Sequence, residues 1–269
     1  MKHIVSAVPT FIRVSVAHML QYRAEIALWA LWGIVSPSVL MAVWKAAAAA
    51  SKNPGQIAGM TTGEMMAYFL MTMIVGHLCT AWDVYEMGWK VRTGRMSPEL
   101  LRPILPIWES LSDNTAYKVV TLVILIPIWV GIGLVIRPTF SVTGGDLALG
   151  LVSVVLASLL SFVWGYSCGC IAFFVTKMDA VAEIYFGASM FFGGRLAPIS
   201  FLPRPLQWVA NGLPFKWIVA FPSQMLAGQV SGRAAWLGIG AQLLWLLAAV
   251  VVFRVVWSQG IKRYSAVGA

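Results

Sequence analysis

Charge is scarce in this chain: 11% of its 269 residues are Asp, Glu, Lys or Arg, against roughly a quarter in an ordinary soluble domain. With 59% apolar residues and a mean hydropathy of +0.81, there is too little polar surface to cover a compact body in water, which excludes a soluble globular protein. Acidic residues are the rarest charged group, 10 against 19 Lys and Arg. The resulting +9 does not call for nucleic acid, because a membrane chain that leaves its basic residues on the cytoplasmic side carries the same surplus. Cysteine is limited to Cys79, Cys168 and Cys170, all inside long apolar runs. That excludes a disulfide scaffold, and the two-residue step from Cys168 to Cys170 points them in different directions on a helix, away from a shared metal. His3, His18 and His77 are scattered. A phosphate loop, an H-E-x-x-H pair and a G-x-S-x-G elbow are all missing, so no catalytic, cofactor-binding or metal-ligating residue is expected.

What the chain does have is long uncharged runs. About 20 apolar helical residues cross a hydrocarbon core roughly 30 Å thick, and Ile26–Trp44, Met65–Trp82, Val119–Ile136, Leu147–Thr176 and Ala234–Phe253 all reach or approach that length. A sixth run, Ile184–Pro203, is interrupted only by Arg195, a side chain long enough to snorkel to an interface. The fold class expected is therefore an all-α polytopic membrane protein with six transmembrane helices over 24–44, 65–82, 117–136, 147–176, 180–198 and 234–257. Basic residues set the orientation. An inside N-terminus leaves Lys2, Arg13, Arg23, Lys90, Arg92, Arg95, Arg102, Lys118, Lys177, Arg254, Lys262 and Arg263 in the cytoplasm, the larger share, so both termini are expected there. His77 is read as hydrogen-bonded to a neighbouring helix, and Gly165 and Gly169 form a small-xxx-small step suited to close packing.

Outside the spans, residues 1–22 form an amphipathic interfacial helix with Ile4, Val8, Phe11, Met19 and Tyr22 on one side and Ser6, Thr10, Arg13 and Gln21 on the other. It is expected to lie on the cytoplasmic leaflet, with Pro9 dividing it. The cytoplasmic loop 83–114 holds five of the ten acidic residues beside four basic ones. Within it Ser97-Pro98-Glu99 reads as a helix start, with Ser97 as cap. Pro103 ends that helix after little more than a turn, leaving Leu100 and Leu101 to be covered by another surface. In the outer region 199–230, Pro203, Pro205, Pro214 and Pro222 break apolar sequence into pieces that read as re-entrant helices, with Trp208, Phe215, Trp217 and Phe221 as headgroup-level anchors.

This order of elements resembles the permease subunits of type-2 ABC exporters, the ABC-2 family of transporter proteins. The segments QYRAEIALWAL, TTGEMMAYFLM, VRTGRMSPELLRPILP and GGRLAPISFLPRPLQWVANGLPF are similar to those of small bacterial six-span members associated with export of drugs, antibiotics and viologen-like compounds. The resemblance implies a single permease domain over 1–269 in a bacterial inner membrane, efflux of an amphipathic or lipid-like molecule, and no enzymatic activity on this chain. ATP and Mg would be bound by a partner, an ABC ATPase in two copies, and a second permease would complete the complex, either a homologue or a second copy. Membrane lipids are further partners and nucleic acid is not. Carried over by position, Arg92, Arg95, Ser97, Pro98, Glu99, Leu100, Leu101 and Arg102 correspond to the ATPase-coupling segment, while Arg195, Pro198, Pro203, Trp208, Pro214 and Phe215 fall at the outer exit gate. The competing reading is an ion-coupled secondary transporter, which would normally show ionisable residues near the middle of its spans and an internal repeat; neither is visible.

Overall fold

The computed structural model describes residues 2–51, 53–175 and 177–264, with side chains from residue 7 onward; the expected placements of Ile4 and Ser6 lie outside the described side chains. Helix α1 (Lys2–Gln21) runs unbroken through Pro9. Pro9 is exposed, and the anchorage of α1 along a later helix, α6 (Ile107–Ile136), outweighs the one backbone bond that proline removes. Val8, Phe11 and Met19 lie on its half-buried side and Thr10, Arg13 and Gln21 on its exposed side, as the periodicity requires, whereas Tyr22 is exposed at the joint with α2 (Arg23–Ala49).

Among the described residues, five helical stretches are long and apolar enough to cross a membrane: Arg23–Ala49, Thr62–Arg92, Ile107–Ile136, Gly144–Phe173 and Gly232–Gly260. The second of these is interrupted. Helix α3 (Thr62–Cys79) stops at Thr80, whose backbone is extended, and α4 (Asp83–Arg92) starts three residues later. A capping box opens α3, with Thr61 accepting from the Glu64 amide and the Glu64 carboxylate accepting from the Thr61 amide at 2.8 Å. Just before it, the β1 (Gln56–Ile57) and β2 (Met60–Thr61) pair closes through Ala58 and Gly59, both at positive φ, the twist that a two-residue hairpin turn needs. After α4 come the single-turn α5 (Met96–Leu100), α6, α7 (Gly144–Gly169) and, near the end, the long α12 (Gly232–Gly260).

The expected fifth span takes a different form. Helix α8 (Asp179–Phe192) has 14 residues, about 21 Å at 1.5 Å per residue, so the helical part of this crossing is shorter than that of the other spans. It ends where Gly193 and Gly194 pack so closely on Ser189, Tyr68 and Ala220 that a Cβ would clash, and Gly194 has φ of 73°. The chain then breaks into α9 (Arg204–Asn211), α10 (Pro214–Ile218) and α11 (Ala220–Leu226), the proline-divided short helices expected of region 199–230. These are not peripheral. Phe215 and Phe221 are 7% and 3% exposed, so the headgroup-anchor expectation is corrected for both. The Phe215 ring meets Tyr185 edge-on, and the Phe221 ring occupies the space that a side chain at Gly238 of α12 would need. Trp208, 77% exposed, keeps the surface position. Gly165 and Gly169 do what small residues at that step allow: a Cβ on Gly169 would stand 2.8 Å from the Asp83 carbonyl oxygen and 2.9 Å from Met87 Cβ, so α4 lies directly against α7.

Candidate functional site

Residues 83–114 are more ordered than a loop. Helix α4 carries the chain from Asp83 to Arg92, Gly94 at φ of 73° reverses it, and α5 brings it back. Lys90 ties the two together, its ammonium 2.9 Å from Glu86 and 3.2 Å from Glu99. Burial pushes the Glu99 carboxyl up, and the Lys90 ammonium opposes that by pulling it down. Ser97 does not cap α5, because Arg95 takes that position. Its side chain instead hydrogen-bonds the Tyr264 hydroxyl at 2.8 Å, joining the turn to the chain beyond α12. Leu100 packs against the core cluster of Met96, Tyr166 and Trp257, while Leu101 is 88% exposed. The expected apolar pair therefore divides into one anchor and one free side chain. Among the arginines, Arg102 pairs with Glu109 and Arg92 stands 3.7 Å from Asp179, both at the surface, while Arg95 stacks its guanidinium 4.7 Å over the Trp89 ring.

Behind this turn, polar side chains converge on the interruption between α3 and α4. The Thr80 hydroxyl donates to the Gly76 carbonyl at 2.5 Å and accepts from Arg195 Nη2 at 3.2 Å. Lys118 donates to Ser158 at 3.1 Å, and Ser158 donates to the Leu78 carbonyl at 3.0 Å. These groups satisfy the carbonyl-rich end of α3. His77 meets Thr121 across the α3–α6 contact at 2.8 Å, the neighbour-helix bond expected of it. Arg195 was expected to snorkel outward. It turns inward and partly buried instead, with its guanidinium against Gly76.

The family model for ABC-2 family transporter protein matches residues 48–268. The chain belongs to that family. Comparison with curated proteins finds no match to this chain. As an ABC-2 transporter protein it is a transmembrane component of an ABC transporter, a multi-pass membrane chain that works with an ABC ATPase.

In this ABC-2 transporter the residues expected at the outer gate differ in burial. Pro198, Pro214 and Phe215 are buried, Pro203 and Trp208 are exposed, and Arg195 reaches toward α3. The sequence reading missed Thr80, Ser158, Asn114 and Gln242. Asn114 donates to the Thr80 carbonyl at 3.4 Å, and Gln242, fully buried in α12, donates to the carbonyls of Trp217 at 2.8 Å and Ser153 at 3.1 Å. A glutamine in the middle of the last apolar run was the available signal for Gln242, since a buried amide in a span must find a partner.

Proposed function

We propose that the chain is the permease subunit of an exporter that moves an amphipathic small molecule or lipid-like substrate outward, powered by two copies of a separate ABC ATPase and completed by a second permease, homologous or identical. Both termini face the bacterial cytoplasm, and Arg92 to Arg102 is the segment that meets the ATPase. The observation that supports this most directly is Leu101, 88% exposed on a short turn held from behind by Lys90, Leu100 and Tyr264. An apolar side chain presented on a braced turn suits insertion into a groove on a partner. Closure of the paired ATPases would then push on α4 and α5, and the interruption at Thr80 separates that movement from α3.

Burying one leucine in such a groove is worth about 1.5 to 3 kcal/mol, and a carboxylate in its place would also have to be desolvated. Leu101→Asp is accordingly expected to lower ATPase association at least ten-fold in a pull-down from membranes containing both proteins, with unchanged insertion of the permease. Normal association and normal ATP-dependent export by the variant would overturn the assignment of this turn, and export with the ATPase absent would favour an ion-coupled transporter.

A further inference from the structure

The interruption between α3 and α4 has no local cause. Residues 77–87, HLCTAWDVYEM, contain neither proline nor glycine, and the alanine at 81 is the strongest of helix formers. A break without those residues comes from side chains that intrude on the hydrogen-bond ladder of the helix. Thr80 leaves helical geometry with a ψ of 135°, where a helix needs about −42°. The amides of Ala81 and Trp82 consequently make no backbone hydrogen bond. In every other respect Thr62–Arg92 is one apolar helical stretch of 31 residues.

Donors from elsewhere in the fold hold the break. Ser158 of α7 donates to the Leu78 carbonyl at 3.0 Å and Asn114 of α6 to the Thr80 carbonyl at 3.4 Å, two oxygens that in a continuous helix would accept from the amides of Trp82 and Val84. Arg195 is the most unusual member of the group. It donates to the Thr80 hydroxyl at 3.2 Å, its Nε is buried without a partner, and among the described residues no carboxylate pairs with it. A cation buried among spans without an acidic partner is costly. Here it faces the negative end of α3, and Gly76 leaves it room, since a Cβ there would stand 3.2 Å from Nη1. The backbone on either side of Arg195 is tied down as well: Tyr68 of α3 donates to the Gly194 carbonyl at 2.7 Å and Trp44 of α2 to the Leu196 carbonyl at 2.9 Å. The guanidinium therefore links the segment that leads into α9, α10 and α11 to the break in the second span.

We propose that Arg195 is a positioning residue for transport: it holds the α3–α4 interruption open, and its withdrawal lets Thr80 return to helical geometry and join α3 to α4. In the joined state the amides of Ala81 and Trp82 take the carbonyls of His77 and Leu78, Ser158 is released, and α4 moves with α3. In the interrupted state the two move separately. A shift of segment 194–196 that draws the guanidinium off Thr80 thus changes how the α4–α5 turn is connected to the span above it. The consequence for transport rests on the reading of Arg92 to Arg102 as the ATPase contact, but the two helix states are tested on this chain alone, so failure of one leaves the other standing.

The test is hydrogen–deuterium exchange of the full chain in lipid nanodiscs, read at the amides of Ala81 and Trp82. Arg195→Ala is expected to slow both about ten-fold, because they gain carbonyl partners, whereas loss of a merely structural contact loosens the fold and speeds exchange. Arg195→Lys, which keeps a cation at the end of α3, should restore the parent rate. Asn114→Ala frees the Thr80 carbonyl for the helix ladder and should slow the same amides to a smaller extent, and it carries the test if the Arg195→Ala chain does not insert. Exchange at Ala81 and Trp82 that is unchanged or faster in the alanine variants that insert, or slowing that the lysine variant does not reverse, overturns the proposal.

Discussion

Leu100 and Leu101 are neighbours in sequence and opposites in environment. The first fills a place in the cluster around Tyr166 and Trp257, and the second is 88% exposed. Leu100→Asp is therefore expected to lower the thermal unfolding temperature of the isolated chain, because a carboxylate would be forced against apolar neighbours. Leu101→Asp should leave it unchanged within error. Melting curves in detergent check both, and equal shifts would mean that the turn is not braced as described. Adjacent residues on a one-turn helix point about 100° apart, so the sequence showed that two leucines were present but not which one faced out. Ser97 carries the same lesson. Its position before Pro98 and Glu99 has the signature of a cap, yet a hydroxyl 167 residues away claimed it, a tertiary partner that no local pattern contains.

At the scale of helices, the small-residue step in α7 was fully legible: glycines four apart in an apolar helix imply close approach, and α4 occupies the space. Gly169→Ala should destabilise by about 1 to 3 kcal/mol, the cost typical of overpacking, because the new methyl meets the Asp83 backbone and Met87 Cβ. Gly187→Ala in α8, where nothing stands within 4 Å, should be neutral or stabilising by up to about 1 kcal/mol through helix propensity. Denaturant titration of the two variants side by side gives the comparison, and similar losses would refute the packing argument. Apolar run length located α2, α6, α7 and α12 well, because each is a long helix with polar ends. It set the helix end too late in region 180–198, where composition stays apolar while Gly193 and Gly194 end the helix by close backbone contact with Tyr68 and Ala220. It also failed to find the interruption after Cys79, since Thr80 and Ala81 look like ordinary span residues until donors from α6 and α7 reach the open carbonyls and Arg195, after α8, reaches the Thr80 hydroxyl. The acidic concentration in 83–114 was plain in the sequence, but its convergence against α1 depended on α1 packing along α6.

Across the whole molecule, the charge distribution gives a topological test. Thr93 lies at the end of α4 and Ser231 at the start of α12, both exposed. Single cysteines there, on a background lacking the three native ones, should react with a membrane-impermeant maleimide from opposite sides, Thr93→Cys only in inverted vesicles and Ser231→Cys only in right-side-out ones. Labelling from the same side would require a different number of crossings between them.

The hydroxyl bridge from Ser97 to Tyr264 also puts events in order. Synthesis at 5 to 20 residues per second delivers Tyr264 about 10 to 30 s after Ser97, so for that interval the turn that presents Leu101 lacks its rear brace. If Arg92 to Arg102 is the docking segment as proposed, a nascent permease meets its ATPase while that face still lacks its contact with Tyr264, which lies beyond α12. Ribosome-arrested chains stopped before residue 232 should recruit the ATPase poorly and those carrying Tyr264 should recruit it well; equal recruitment would show that the brace does not time assembly. On that proposal, Tyr264 reports that α12 has been made before motors are attached to the permease.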